Sequence, residues 1–328
     1  MKALLSLFAV GLVSCTAPDN FKTAMMLGGK KIPAQTLNEG KEAYQLYCRS
    51  CHGDNGNGEG PASAYLRPSP RDLRMGTYKF LGVQDGLPHD EDFVRIIKNG
   101  LTGTAMLPWD VPEAEILPII HYIKTFLKEG EGFRDPDVEI GQRVTPTVDT
   151  WQNKEEAVQR GKVIYHAKAM CGSCHPAYAT QEEIFTMSTQ LVKEGMRNDV
   201  IKDFRDAMFL PEAKESGYTV GGIKQRILPP DFTFNEIRTL AVRHPEQDLE
   251  NLYRVIGAGI PGTAMPAWKG AMPEQEIWAL VHYVKSLVGM KNKPELVAFK
   301  QKLQTAAPLN AQSGTGGGSV ADKSPNKK

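Results

Sequence analysis

The chain has 328 residues, with 39 Lys and Arg against 38 Asp and Glu, for a formal charge of +1. Apolar residues make up 41% and charged residues 23%, which excludes wholesale disorder, and the even charge balance argues against a nucleic-acid binder. No apolar run reaches the ~18 residues that read as a membrane span, and at ~100–200 residues per domain the length allows two or three globular units.

The N-terminus reads as an address. Lys2 is followed by an apolar stretch from Ala3 to Val13 and then by Ser14 and Cys15, the pattern of an export signal over residues 1–14. The segment Leu12-Val13-Ser14-Cys15 resembles the bacterial lipobox. That resemblance implies a diacylglycerol on Cys15, which becomes the first residue after cleavage, and a lipid-anchored protein of the cell envelope facing the periplasm. Thr16 stands where an Asp marks inner-membrane retention, which leans to the outer membrane and leaves the choice between the two open. Residues 15–35 hold no helical period and read as a lipidated tether.

From residue 36 onward the elements occur in two rounds. Thr36-Leu37-Asn38-Glu39 fits a capping box ahead of a helix through Gly40, Tyr44 and Tyr47, which leads into Cys48-Arg49-Ser50-Cys51-His52. Further on stand Gly100-Leu-Thr-Gly103-Thr104-Ala105-Met106-Leu-Pro-Trp109 and a helix with Ile116, Ile119, Ile120, Ile123 and Leu127 at helical spacing. Residues 130–152, with Pro136, Gly141 and Pro146, read as a linker. The second round then repeats the order. Gly161, Val163, Ile164 and Tyr165 precede Cys171-Gly172-Ser173-Cys174-His175. Next come Gly259-Ile-Pro-Gly262-Thr263-Ala264-Met265-Pro-Ala-Trp268 and a helix with Ile277, Leu280, Val281, Val284 and Val288. Both last helices carry His-Tyr-[Ile/Val]-Lys, at His121–Lys124 and His282–Lys285.

Each C-x-x-C-H is the pattern of c-type haem attachment. Two thiols add across the two vinyl groups, and the next residue's imidazole then lies under the iron. The two motifs use every cysteine except Cys15. A disulfide reading does not require a His after both pairs, and a zinc reading needs ligands gathered from two distant pairs. Six of ten positions are identical between the two Met segments, which marks Met106 and Met265 as axial ligands rather than core filler. A thioether is a soft ligand, and Met/His ligation raises the haem potential.

Each half thus resembles a class I cytochrome c domain, over residues 36–129 and 153–291. The resemblance implies an all-α fold of two tandem domains, each wrapped around one covalently bound haem, two haem c in all. Cys48, Cys51, Cys171 and Cys174 would attach them, with His52 and Met106 on one iron and His175 and Met265 on the other. It also implies that Gly40 and Gly161 permit close helix approach, that Tyr122 and Tyr283 pack at the crossing, and that Trp109 and Trp268 lie near the haem.

Three departures are expected to matter. The second copy has extra residues between Tyr165 and Cys171, so the chain there must be locally irregular. An insertion near 176–225 lengthens it, and Val200, Ile201, Phe204 and Met208 mark an amphipathic helix closed by Pro211. Leu107 replaces the Pro that many relatives carry after the ligand Met, which points to a less rigid first Met loop. Residues 292–328 read as a C-terminal tail, disordered from about 305 onward.

Among the other residues, His121 and His282 sit too far into the last helix to serve as ligands, His166 is the better rival, and His89 and His244 read as solvated loop residues. Arg71, Arg74, Lys79, Arg226 and Arg238 are candidates for the haem propionates. No catalytic constellation, nucleotide fingerprint or phosphate loop is present. The expected function is one-electron transfer by a membrane-anchored dihaem cytochrome in a bacterial respiratory chain, with redox proteins or a membrane respiratory complex as partners. A dedicated subunit of an oxidase or quinol-oxidising complex is the narrower reading, and a peroxidase-like enzyme is the reading from another class.

Overall fold

The computed structural model describes residues 20–220, 222–240 and 244–309. The expected export signal, Cys15 and most of the expected tail lie outside the described residues. In chain order come the hairpin β1 (Met25–Leu27) and β2 (Lys30–Ile32), α1 (Ala34–Tyr47), the single turn α2 (Arg49–His52), β3 (Val83–Gln84), α3 (Asp90–Asn99) and α4 (Glu113–Lys124). Then follow β4 (Gln142–Arg143), α5 (Lys154–Val163), which runs into a π-helical turn at Ile164–Lys168, α6 (Gln181–Lys193), β5 (Lys214–Val220) and β6 (Ile223–Ile227). The described chain ends with α7 (Asp248–Ala258), α8 (Glu274–Val288) and α9 (Glu295–Thr305). The structure is rich in helix, and its strands form short antiparallel pairs, β1 with β2, β3 with β4 and β5 with β6. Among the described residues no helix is long and apolar enough to cross a membrane.

One helix contact is built twice. α1 packs on α4 and α5 on α8, and glycine allows the backbones to touch. A Cβ on Gly40 would lie 1.9 Å from the carbonyl oxygen of Pro118, and one on Gly161 would lie 2.1 Å from that of Ala279. Beside each contact a tyrosine from the last helix meets one from the first edge-on, Tyr122 against Tyr44 at 5.3 Å and Tyr283 against Tyr165 at 5.4 Å. The lysine two residues later ties the same helix to the start of the helix before it. Lys124 pairs with Asp90 of α3, and Lys285 with Asp248 of α7 at 2.5 Å. These carboxylates stand in the first turn of their helices, where the dipole favours negative charge. The repeated His-Tyr-x-Lys is therefore a packing and ion-pairing device, and each copy sits in its own hydrophobic cluster.

Several expectations need correction. α1 begins at Ala34 after Pro33, so Thr36 lies inside the helix and caps nothing; Pro33, whose fixed φ suits a helix start, sets the boundary instead. The stretch Val200–Met208 is not a helix. Ile201 and Met208 are buried, in a small cluster with Ile184 and Leu191, but the chain wraps over that cluster in an irregular path. The helix of the insertion is α6, whose N-cap Thr180 accepts from the Glu183 amide at 3.2 Å while the Glu183 carboxylate accepts from the Thr180 amide at 2.9 Å. The capping box thus stands at 180–183, ahead of Ile184 and Leu191 on one face. The tether is also not free of structure: Leu27 and Ile32 are buried with Leu37 of α1.

The linker belongs partly to the first half. Phe133 is buried in its core, β4 pairs with β3, and the Asp92 carboxylate accepts from Arg95 (3.1 Å) and from Arg143 (3.2 Å). His89 is not a solvated loop residue: it precedes α3, its amide donates to Asp92 (3.2 Å), and its Nε2 lies 2.9 Å from the Gly141 carbonyl. His244 is exposed beside Glu246, as expected. The assumed tail opens with α9, whose Leu303 is buried, and Leu309 donates to the Gln181 side chain at 2.9 Å.

Gly161→Ala and Gly40→Ala are expected to part the paired helices. The atom each new methyl meets is a backbone carbonyl that cannot rotate away, so the loss should reach about 3 kcal/mol, the upper end for overpacking. Urea denaturation monitored by circular dichroism reads it.

Candidate functional site

α1 ends at Cys48, and α2 carries Cys51 and His52. The carbonyls of this turn are satisfied by amides of the glycine-rich loop that follows. Gly53 donates to Arg49 (2.8 Å), Gly58 to His52 (2.9 Å), Gly60 to Cys51 (3.2 Å) and Ala62 to Ser50 (2.9 Å). The Tyr44 hydroxyl donates to the Gly53 carbonyl at 2.8 Å. His52 Nδ1 lies 3.1 Å from the carbonyl of Arg71. A carbonyl only accepts, so Nδ1 carries the proton and the lone pair stands on Nε2, the arrangement that orients an imidazole toward a metal. Burial lowers the His52 pKa, which keeps the ring neutral.

The second motif reaches the same geometry by other means. The π-helical turn Ile164–Lys168 absorbs the extra residues before Cys171, as a local irregularity was expected to do. Tyr165 then makes the bond that Tyr44 makes, donating to the carbonyl of Pro176 at 2.9 Å. His175 Nδ1 lies 3.0 Å from the Pro230 carbonyl, burial again lowers the pKa, and the ring stacks on Phe232 at 4.7 Å. Pro176 stands where the first copy has Gly53 and has no N–H to offer. The Arg205 guanidinium supplies the missing donors. Its Nε donates to the Gly172 carbonyl (3.1 Å) and its Nη2 to that of His175 (3.0 Å), the positions that Gly53 and Gly58 serve in the first motif. It also donates to Ala207 (2.8 Å), Met208 (3.2 Å) and Leu210, and Glu212 donates to the Cys174 carbonyl at 2.8 Å. The insertion thus holds the second motif in place.

Both Met segments form the same loop. Leu101 donates to the Met106 carbonyl (2.7 Å) and Ile260 to that of Met265 (3.2 Å). The Thr104 and Thr263 hydroxyls donate to Leu101 (2.7 Å) and Ile260 (2.8 Å), and they accept from the Met106 (3.1 Å) and Met265 (3.2 Å) amides. Gly100 and Gly259 have φ of +65° and +68°, and a Cβ on either would strike the backbone of its own loop. Leu107 adds a bond that Pro266 cannot make, from its amide to Ala105 at 2.9 Å, so the first loop loses no hydrogen bond to the substitution.

The cysteines Cys48, Cys51, Cys171 and Cys174 form no disulfide, and burial pushes the Cys48 and Cys171 thiols up to about 12. His166 is fully committed: Nδ1 lies 2.8 Å from the Lys162 carbonyl and Nε2 accepts from the Tyr178 amide at 2.9 Å. That fixes a neutral tautomer with no nitrogen left for iron. His282 bonds Asp149 at 2.8 Å. Arg74 is spent on Asp72 at 2.8 Å, and Arg226 on the Ala213 carbonyl at 2.7 Å. Free thiol pairs, a neutral imidazole with Nε2 open and a paired thioether loop fit a haem of the c type.

Residue-by-residue reading overlooked the carbonyls that hold the two histidines. The signal was present. Pro70-Arg71-Asp72-Leu73 and Pro229-Pro230-Asp231-Phe232 keep one constant spacing that also relates Lys79 to Arg238 and Gly100 to Gly259. In both, the Asp accepts from the amide two residues on, Asp72 from Arg74 (3.0 Å) and Asp231 from Thr233 (2.9 Å). Asp231 also accepts from Tyr178 (3.0 Å) and from Lys300 of α9 (2.9 Å).

The family model described as cytochrome c oxidase, cbb3-type, subunit III matches residues 35–123 and 222–284. These matches support a c-type cytochrome. The first segment contains Cys48–His52 and Met106; the second begins at the end of the insertion, after Cys171–His175, and contains Pro230 and Met265. A chain of the Kuenenia stuttgartiensis reducing HAO-like protein complex is similar at 27% identity and a TM-score of 0.56, over 76% of this chain and 96% of that one. No curated protein matches the chain. Cytochromes of this type imply covalently bound haem c and electron transfer.

Arg205→Met should take these donors from the part-buried Gly172 and His175 carbonyls and cost about 1–2 kcal/mol, the lower part of the ~1–3 kcal/mol for an unsatisfied buried acceptor; thermal unfolding measures it. His166 supplies a pH signature. Burial lowers its pKa from 6.5 to about 4. The folded protein therefore binds fewer protons than the unfolded chain in that window, and stability present above pH 6.5 is lost as pH falls toward 4. Urea titrations across this range should show the loss, and His166→Gln should flatten it.

Proposed function

We propose that the chain is a dihaem cytochrome c with two class I cytochrome c-like domains, carrying single electrons at a bacterial envelope membrane. One haem is attached through Cys48 and Cys51 and ligated by His52 and Met106. The other is attached through Cys171 and Cys174 and ligated by His175 and Met265. The observation that carries this reading is the doubled set of bonds: two histidines with Nδ1 on a backbone carbonyl, and two Gly-Thr-Ala-Met loops with one hydrogen-bond scheme. A bound haem supplies a one-electron iron couple. The chain's own part is to hold each imidazole neutral and oriented, to hold each thioether in a braced loop, and to surround both with apolar side chains.

With His and Met on both irons no position is left for a substrate, so the protein acts as a carrier, not as a peroxidase-like enzyme. A diacylglycerol on Cys15 holds it at the membrane, facing the periplasm, with the outer membrane favoured by Thr16. A second reading, as the dedicated cytochrome subunit of a larger redox complex, is favoured by the family match and by a structural relative that belongs to a complex. After mild detergent extraction that reading expects a large particle, and the carrier reading expects a single chain.

Haem quantification on the purified protein should give two haems per chain; one per chain would remove half of the site set. Met265→Ala should lower the potential of one haem and leave the other unchanged, as redox titration reads, and an unchanged pair of potentials would strike Met265 from the ligands. Cys15→Ser should release the protein from the membrane fraction.

A further inference from the structure

The two halves meet through their Met loops in a reciprocal way. A Cβ on Gly103 of the first loop would lie 2.7 Å from Glu236, and one on Gly262 of the second would lie 3.0 Å from Thr77; Glu236 and Thr77 are equivalent positions in the repeat. Thr102 of the first loop donates to the Arg238 carbonyl at 3.1 Å, and the Tyr218 hydroxyl of β5 donates to the Pro261 carbonyl in the second loop. Over the Tyr218 ring lie two cations of the first half, the Arg71 guanidinium at 3.5 Å and the Lys79 ammonium at 4.4 Å. Arg71 is also the residue whose carbonyl holds His52. Arg238, the counterpart of Lys79, is close enough for its charge to act on both.

These three half-buried cations have no carboxylate at ion-pair distance among the described residues. Elsewhere comparable cations are paired: Arg95 with Asp92, Arg160 and Lys168 with Glu276, Lys124 with Asp90. Gathering like charges away from water without a counter-ion is costly, and an aromatic face offsets only part of that cost. Burial, followed by the charges of Arg71 and Arg238, pushes Lys79 down to about 7, which marks a site short of negative charge.

We propose that Arg71, Lys79 and Arg238 form one carboxylate-binding site at the junction, filled by the propionates of both haems. This rests on the two-haem reading above. The forked guanidinium groups suit carboxylates in the bidentate mode, and the cluster lies between the segment that holds His52 and the loop that carries Met265. Each half then completes the haem pocket of the other, and the shared counter-charge couples the two irons electrostatically. Arg71 and Lys79 act here as positioning residues for the second haem as well as the first.

The test uses the full-length holoprotein, first shown by haem quantification to carry two haems, so that failure of the two-haem reading is seen separately. Arg238→Gln and Lys79→Gln are each titrated by optical spectroelectrochemistry, with Arg238→Lys as the charge-retaining variant and the exposed Lys224→Gln as control. Removing a cation beside carboxylates leaves net negative charge near the irons, which favours the oxidised form. Either neutral variant should therefore lower both potentials, Arg238→Lys should restore them, and Lys224→Gln should move neither. A shift confined to the haem of the mutated half would overturn the shared site. No shift in either haem would mean that the cluster binds some other anion, such as inorganic phosphate or a partner's carboxylate, and would overturn the proposal. Two variants at equivalent positions guard against misfolding of one.

Discussion

Two helices can touch backbone to backbone only where one of them has no side chain, and this protein uses that contact twice. At Gly40 and Gly161 the carbonyl of the last helix occupies the space of a Cβ. The first helix of each pair ends beside an attachment motif, and the last helix follows a Met loop. The crossing therefore fixes the distance between the two loops that flank the expected iron. The tyrosine pair and the lysine–aspartate bridge beside each contact hold the angle. A change at either glycine moves everything that bears on the site.

Around this common frame the two copies solve the same polar problem with different chemistry. The first motif satisfies its carbonyls with backbone amides of a loop rich in Gly53, Gly56, Gly58 and Gly60. The second, with Pro176 where an amide is needed, borrows one guanidinium from the insertion. A side chain reaching across five carbonyls allows the loop itself to be longer and more varied than a glycine turn. The insertion is thus tied to the site it lengthens, and α9 joins the same network through Lys300 and Asp231, next to Pro230, whose carbonyl holds His175.

Much of this was legible in the sequence because covalent and coordination chemistry leave strict spacing. Cys48-x-x-Cys51-His52, its repeat and the two Gly-Thr-Ala-Met segments are short, local and chemically demanding. The helix crossing was legible through the resemblance to class I cytochrome c domains, which implied close approach at Gly40 and Gly161. What escaped was carried by tertiary contact. Arg71 and Pro230 act through their carbonyls, which every residue has, so only the constant spacing between the copies reveals them. Ile201, Phe204 and Met208 show a helical period because they line one cluster, yet a wrapped coil gathers the same side chains. Thr36–Glu39 matched a cap by composition, while the helix had already begun at Ala34, directly after Pro33.

The contacts between the halves were the least visible, because no motif announces a cluster of unpaired cations. On the proposed two-haem reading, they give the pair of sites a common electrostatic environment.

Carbon monoxide added to the fully reduced holoprotein tests the double His/Met ligation most directly. An unchanged visible spectrum is the expected result, since the proposed ligand set gives each iron a methionine of this chain, Met106 or Met265, beside its histidine. A carbon monoxide spectrum from about half of the haem would contradict it and point to an open iron with enzymatic chemistry.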